Sequence, residues 1–287
     1  MRPANSPDIR ALHPRLTLRV PLSKATAIPL VGWVPTRKTR FMTALLPDAA
    51  GDFIDVGANI GQTLCDYVYS GHQRRYWGIE PNPKCWPVLD HLIRRNGLVN
   101  CSVLKFGLSE REQTCPLYTE PGVPTDTRAT MHAGLRPGRP YQAIEVRLLP
   151  FDLVRDLYDI TEIGLIKIDA EGAELEILRG MTSTLTADRP IVLCEVLLRD
   201  SKADAQDYDR WANELMQFLR EIDYDVYPLR ARALTSFKTA PLAEFPRVTW
   251  TLFRAHQCEY IFKPREVTVN LAVTRPRPRP APPGVLP

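Results

Sequence analysis

Residues 53–61 read Phe53-Ile54-Asp55-Val56-Gly57-Ala58-Asn59-Ile60-Gly61. Asp52 to Val56 has the short apolar run of a buried strand, and the glycines allow a tight reversal into a helix predicted over residues 60–69. Working outward, the alternation repeats. Tyr76 to Glu80 is a second strand, and residues 84–95 place Trp86, Leu89 and Leu92/Ile93 at helical spacing. Cys101 to Phe106 and Ile163 to Ile168 are further strands. Ala173 to Met181 is helical, Pro190 to Leu197 is a strand, and Trp211, Leu215, Phe218 and Ile222 mark a long amphipathic helix. Tyr224 to Tyr227 and Glu259 to Phe262 close the pattern as late strands. Such alternation predicts an α/β fold with a parallel sheet and right-handed crossovers. Ligands of such sheets lie beyond the carboxyl ends of the strands.

Acids stand at those ends. Asp55 sits at the entrance of the first turn, where it repels a phosphate and suits a cation. The third glycine of the dinucleotide fingerprint is missing. S-adenosylmethionine carries an ammonium and a sulfonium and no phosphate, so it matches this charge. A dinucleotide and a plain strand–turn–helix stay open on these residues alone. Glu80 ends the second strand about 20 residues after the glycines, where an acid can accept from both hydroxyls of a ribose. A solvated strand-end acid is the plainer alternative. Pro81-Asn82-Pro83 then turns the chain.

The run Ile166-Lys167-Ile168-Asp169-Ala170-Glu171-Gly172-Ala173-Glu174 delivers Asp169 to the same edge. Glu171 is expected on the first turn of the next helix. Two carboxylates so placed could orient a hydroxyl and take its proton, or simply cap the helix. Glu195 is a third acid at this edge, with a strand-end salt bridge as its alternative. The glycines Gly57 and Gly61 are expected to let backbone approach a ligand closely.

The runs 53–61, Glu80-Pro81-Asn82, Asn96-Gly97-Leu98 and 166–174 together resemble FkbM-type methyltransferases. Leu175-Glu176-Ile177-Leu178-Arg179-Gly180, Pro190 and Glu195-Val196 continue the pattern in order. The resemblance covers residues 50–200, with weaker support to 265. It implies a class I methyltransferase fold, a Rossmann-like three-layer sandwich whose mostly parallel sheet has an antiparallel last strand. It implies S-adenosylmethionine as cofactor, held by Asp55, Gly57, Ala58, Asn59, Gly61, Glu80 and Asn82. Asp169 and Glu171 then stand at the reacting end, with transfer to a hydroxyl of a sugar, polyketide or glycolipid-like small molecule. His132 is an alternative base. Residues 120–142, rich in Pro, Gly and Arg, form an insert without a matching motif and are expected to be a lid. The segment 228–250 also departs from the pattern. A nicotinamide-dependent oxidoreductase is the competing enzyme class, weakened because no tyrosine among Tyr67, Tyr69 and Tyr76 has a lysine four residues on. A non-catalytic cofactor-binding module is the other alternative.

Composition bounds the rest. The 287 residues are 44% hydrophobic and 24% charged, as in soluble globular chains. No apolar run approaches the roughly 20 residues of a membrane span, and no apolar segment follows Arg2 and Arg10 before Pro14, so no secretory signal and a cytoplasmic location are expected. Six cysteines without a C-x-x-C pair argue for reduced thiols and no metal site. The first forty residues hold eight Lys or Arg against Asp8, and residues 261–287 hold five against Glu266. The body is therefore acidic, which speaks against a nucleic-acid partner. The basic ends could make peripheral contact with an anionic surface. Residues 1–40 read as a proline-punctuated arm, 41–265 as the methyltransferase domain, and 266–287 as an unpacked Pro/Arg-rich tail.

Overall fold

A computed structural model describes residues 8–13, 16–21, 30, 33–45, 50–133, 138, 140–196, 205–229, 240–246 and 258–268. Much of the expected arm, part of the insert, most of 228–250 and the tail from 269 onward lie outside the described residues.

In chain order, β1 (Asp8–His13) and β2 (Leu16–Pro21) form an antiparallel hairpin, followed by α1 (Arg37–Leu45), β3 (Asp52–Val56), α2 (Gln62–Ser70), β4 (Tyr76–Ile79), α3 (Trp86–Arg95) and β5 (Cys101–Leu104). Next come β6 (Gly107–Leu108), β7 (Gln113–Thr119), β8 (Gln142–Leu149), α4 (Phe151–Leu157), β9 (Ile163–Ile168), α5 (Glu174–Arg179) and α6 (Thr182–Ala187). The chain continues through β10 (Ile191–Glu195), α7 (Ala205–Glu221), β11 (Tyr224–Pro228) and β12 (Glu259–Pro264).

The main sheet has the order β11-β12-β10-β9-β3-β4-β5. β5, β4, β3, β9 and β10 run parallel, and β12 inserts antiparallel between β10 and β11. This is the expected mostly parallel sheet with an antiparallel last strand. Every residue of β3 is buried, and its side chains divide by strand period. Ile54 and Val56 join a core with Ile166, Ile168, Leu178 and Leu215, while Phe53 joins an opposite core with Leu64, Tyr67, Leu165 and Leu193. Helices thus cover both faces, giving three layers.

The second core also takes Leu18, Val20, Leu30 and Trp33, and Phe41 and Met42 from α1. Parts of the segment read as an arm are therefore packed side chains. Two helix boundaries differ from the sequence reading. α2 starts at Gln62 rather than residue 60, because Gly61 holds a left-handed φ of 99°. The stretch 173–181 yields only α5, which ends at Arg179, and α6 follows separately.

β7 and β8 were not anticipated. They pair antiparallel, with β6 joining β8 in a three-stranded sheet, and the insert 120–142 is their connection. Pro116 within β7 and its half-exposed positions hide the strand in the sequence.

Candidate active site

At the carboxyl ends of β3, β4 and β9 lies a cavity of about 260 Å³. Gly57, Ala58, Asn59, Glu80, Asp169 and Glu171 line it, so the main sheet gathers six of the nine expected site residues. Asp55, Gly61 and Asn82 stand behind its wall.

Asp55 is fully buried. Across the β3–β9 ladder it is the register partner of Lys167, and its Oδ1 lies 3.2 Å from the Lys167 ammonium. The Tyr76 hydroxyl donates to its other oxygen. Lys167 also donates to the carbonyls of Val56 (3.1 Å) and Gly57 (2.9 Å), and lies 3.6 Å from Asp169 Oδ2. The two carboxylates hold Lys167 as an ammonium above its ordinary range despite burial. Asp55 therefore meets a cation of the protein's own. The sequence reading missed Lys167, whose signal was a lone ammonium within the apolar run Ile166–Ile168: such a group needs buried acids as neighbours.

The glycines have close protein neighbours as well. Gly57 has φ +76°, and a Cβ there would collide with the carbonyl oxygen of Asp169. A Cβ at Gly61 would lie 2.8 Å from Leu92 Cδ1. Neighbouring protein thus crowds both positions, while Gly57 also lines the cavity with its backbone.

Glu80 is buried, and burial pushes its carboxyl up to about 7. Its Oε2 accepts the N–H of Asn59 and its Oε1 the N–H of Asn82, each at 2.7 Å. This ties the β3 turn to the β4 turn and leaves each oxygen a second lone pair toward the cavity. Asn82 serves the turn itself, accepting the Lys84 N–H at 3.0 Å and donating to the Pro124 carbonyl at 3.0 Å.

Asp169 lies one residue past the last β3–β9 pair, Val56↔Ile168. Its side chain is 30% exposed, against 0% for Asp55. Glu171 is not on the following helix. It sits in a turn ahead of α5 with φ +52°, followed by Gly172 at +103°. The first-turn acids are Glu174 and Glu176, so the helix-dipole argument belongs to them. Glu174 is fully buried, accepts the Gly172 N–H at 3.0 Å, and is raised to about 8 by burial. Glu195 forms no strand-end salt bridge among the described residues. It accepts from the Cys258 thiol at 3.2 Å and is raised to about 8, chiefly by the charge of Asp169 and then by burial.

The β7–β8 connection closes one side. Asn59 Nδ2 donates to the Asp126 carbonyl at 3.3 Å, and the Thr130 hydroxyl donates to the Glu171 carbonyl at 2.7 Å. Asp126, Thr127, Ala129 and Met131 line the cavity. His132 does not. Among the described residues no group of three or more His, Cys, Asp or Glu is placed to hold a metal, and no helix is long and apolar enough to cross a membrane.

A family profile described as methyltransferase FkbM domain matches residues 55–226, more than half of the chain. The chain belongs to the FkbM methyltransferase family. The cofactor that goes with this family is S-adenosylmethionine, which sets aside the nicotinamide alternative. The residues fit that group. Glu80 has acceptor positions for ribose hydroxyls, Ile79 and Leu108 supply apolar wall, and Asn59 Oδ1 is buried in the wall without a hydrogen-bond partner. Methyltransferase sdnD of Sordaria araneosa is 29% identical over 154 residues, covering 45% of this chain and 59% of the relative. Hexuronic acid methyltransferase AglP of Haloferax volcanii is 26% identical over 145 residues, 49% of this chain and 55% of the relative. The chain thus spans less than two thirds of the curated relatives it matches. The crystal structure of an FkbM methyltransferase from Methylobacillus flagellatus KT aligns at 19% identity with a TM-score of 0.43, covering 74% of this chain and 43% of that one.

Proposed function

We propose that this protein transfers the methyl group of S-adenosylmethionine to a hydroxyl of a sugar, polyketide or glycolipid-like small molecule, with Asp169 as general base and Glu171 orienting the acceptor. One observation carries this reading: Asp169 opens into the cavity that Glu80 also lines, two strands away. Adjacent strands are about 4.8 Å apart, so ribose acid and base stand on the order of 10 Å from each other. Glu80 would hold the ribose of the cofactor, which would supply an activated methyl group to the cavity that Asp169 also lines. The sulfonium is already activated, so the protein has only to align oxygen, methyl and sulfur and to remove a proton. The name of the hexuronic acid methyltransferase relative favours a sugar-like acceptor. The insert 120–142 belongs to the same reading as a lid over the acceptor, since its described part is bonded to both the β3 and β9 turns.

The test is transfer of label from methyl-labelled S-adenosylmethionine to a panel of hexuronic acid glycosides, neutral hexosides and polyketide alcohols. A base-stable methyl ether is the expected product. A base-labile methyl ester would overturn the base role, because a carboxylate acceptor has no proton to lose.

A further inference from the structure

The cavity is lined by the acids Glu80, Asp126, Asp169 and Glu171 and, among the described residues, by two cations, Lys38 and Lys167. Lys167 has three N–H bonds to give and four acceptors around it: two carbonyls and two carboxylates. It has nothing left for a ligand. S-adenosylmethionine brings a carboxylate at its methionine end, and beside four acids that carboxylate needs a cation.

Lys38 is the group in position. It lies on α1, ahead of the family match at residue 55. Phe41, Met42 and Leu45 follow it at helical spacings of three, four and seven, and all are buried, so Lys38 belongs to the inward stripe of the helix. α1 is held against α2 by the Thr39 hydroxyl, which donates to Asp66 Oδ1 at 2.7 Å, and the Trp33 indole donates to the same oxygen at 3.1 Å. Asp66 and Glu195 both feel the Lys38 charge. Glu195 ends β10, beside Asp169, while Glu80 follows β4 on the far side of β3. Lys38 is thus at the reacting end of the cavity, away from the ribose acid.

We propose that Lys38 binds the carboxylate of the methionine portion of S-adenosylmethionine, so that a helix outside the matched domain completes the cofactor site. The proposal rests on that cofactor. Calorimetric titration with S-adenosylhomocysteine and with its decarboxylated analogue tests it without an acceptor. Wild-type protein is expected to prefer the carboxylate-bearing ligand by about 10- to 100-fold, the range of a charge-assisted hydrogen bond. Lys38→Met should erase that preference by weakening S-adenosylhomocysteine alone, and Lys38→Arg should keep most of it. Equal affinity of the wild type for both ligands would overturn the proposal, as would Lys38→Met weakening both alike. Should Lys38→Met fail to fold, the wild-type ratio and Lys38→Arg still decide. Wild-type protein that binds neither ligand would overturn the cofactor assignment, and Lys38 with it.

Discussion

The turn after β3 and the turn after β9 are built from the same parts and put them to opposite uses. Each follows a buried strand carrying an acid near its end, Asp55 and Asp169. Each has a non-glycine residue in the left-handed region, Asn59 at φ +45° and Glu171 at φ +52°, with left-handed glycines beside it. Each is bonded to the β7–β8 connection. The difference is register. Asp55 lies inside the ladder, opposite Lys167, and is sealed there. Asp169 lies one residue beyond the ladder and opens to the cavity. Lys167 touches both, so one ammonium anchors a sealed carboxylate and reaches one that opens to the cavity. Left-handed backbone at non-glycine residues costs about 1–3 kcal/mol each and persists where surrounding contacts enforce it; here those contacts are the loop bonds that also shape the cavity.

The largest way to break this pairing is Lys167→Met. It strands the Asp55 carboxylate in the core with only the Tyr76 hydroxyl, and removing one partner of a buried ion pair typically costs about 3–5 kcal/mol. Chemical denaturation should show that loss. A change under about 1 kcal/mol would mean that the pair is not buried as described. Asp169→Asn is the counterpart. Its side chain is partly exposed and its ion pair longer, so stability and S-adenosylhomocysteine affinity should change little. Turnover, once an acceptor is in hand, should fall about 10²–10⁴-fold. Equal destabilisation by Asp55→Asn and Asp169→Asn would erase the distinction between the two turns.

The sequence showed one side of this comparison well. Strands β3, β4, β9 and β10 were legible because both faces of the parallel sheet are covered there, so their apolar runs are nearly continuous, and edge strand β5 was legible from Cys101, Val103 and Leu104 around an exposed Ser102. Acids at strand ends were legible for the same reason, as polar residues closing apolar runs. What escaped depends on register and on distant contacts. No local pattern says that Asp55 faces Lys167, or that Gly57 is needed because the Asp169 carbonyl passes over it. Glu171 was placed on a helix by its neighbours, and only tertiary contact shows the helix starting at Glu174. Lys38 lies in a stretch whose proline punctuation masked buried Trp33, Phe41 and Met42.

Titration sharpens the comparison next. Behind the β9 turn, Glu174 is raised from 4.5 to about 8 by burial. The folded protein therefore holds a proton there that the unfolded chain releases. Stability from this group is undiminished below about pH 4.5, falls as pH rises toward 8, and is level above. Glu174→Gln keeps an acceptor for the Gly172 N–H and cannot ionise. It should be more stable than wild type above pH 8 by about 1–3 kcal/mol, the gap closing toward pH 5. Denaturation midpoints across that range check this. A gap independent of pH would show that Glu174 does not carry the proton.

The smallest effect concerns the loop that joins the two turns. Thr130 is fully buried; its hydroxyl donates to the Glu171 carbonyl at 2.7 Å and accepts the His132 N–H at 3.1 Å. Thr130→Val preserves shape and removes both bonds, from the half-buried Glu171 carbonyl and the exposed His132 N–H, at a cost of about 1 kcal/mol. The β3 turn keeps its own bonds, from Asn59 to Asp126 and to Glu80. If the turns divide as argued, the variant should bind S-adenosylhomocysteine within about twofold of wild type, well inside the tenfold that 1.4 kcal/mol represents, while acceptor KM rises. The reverse pattern, weakened cofactor with unchanged acceptor KM, would place Glu171 and its loop contact on the cofactor side and move the boundary between the two turns to the other side of Asp169.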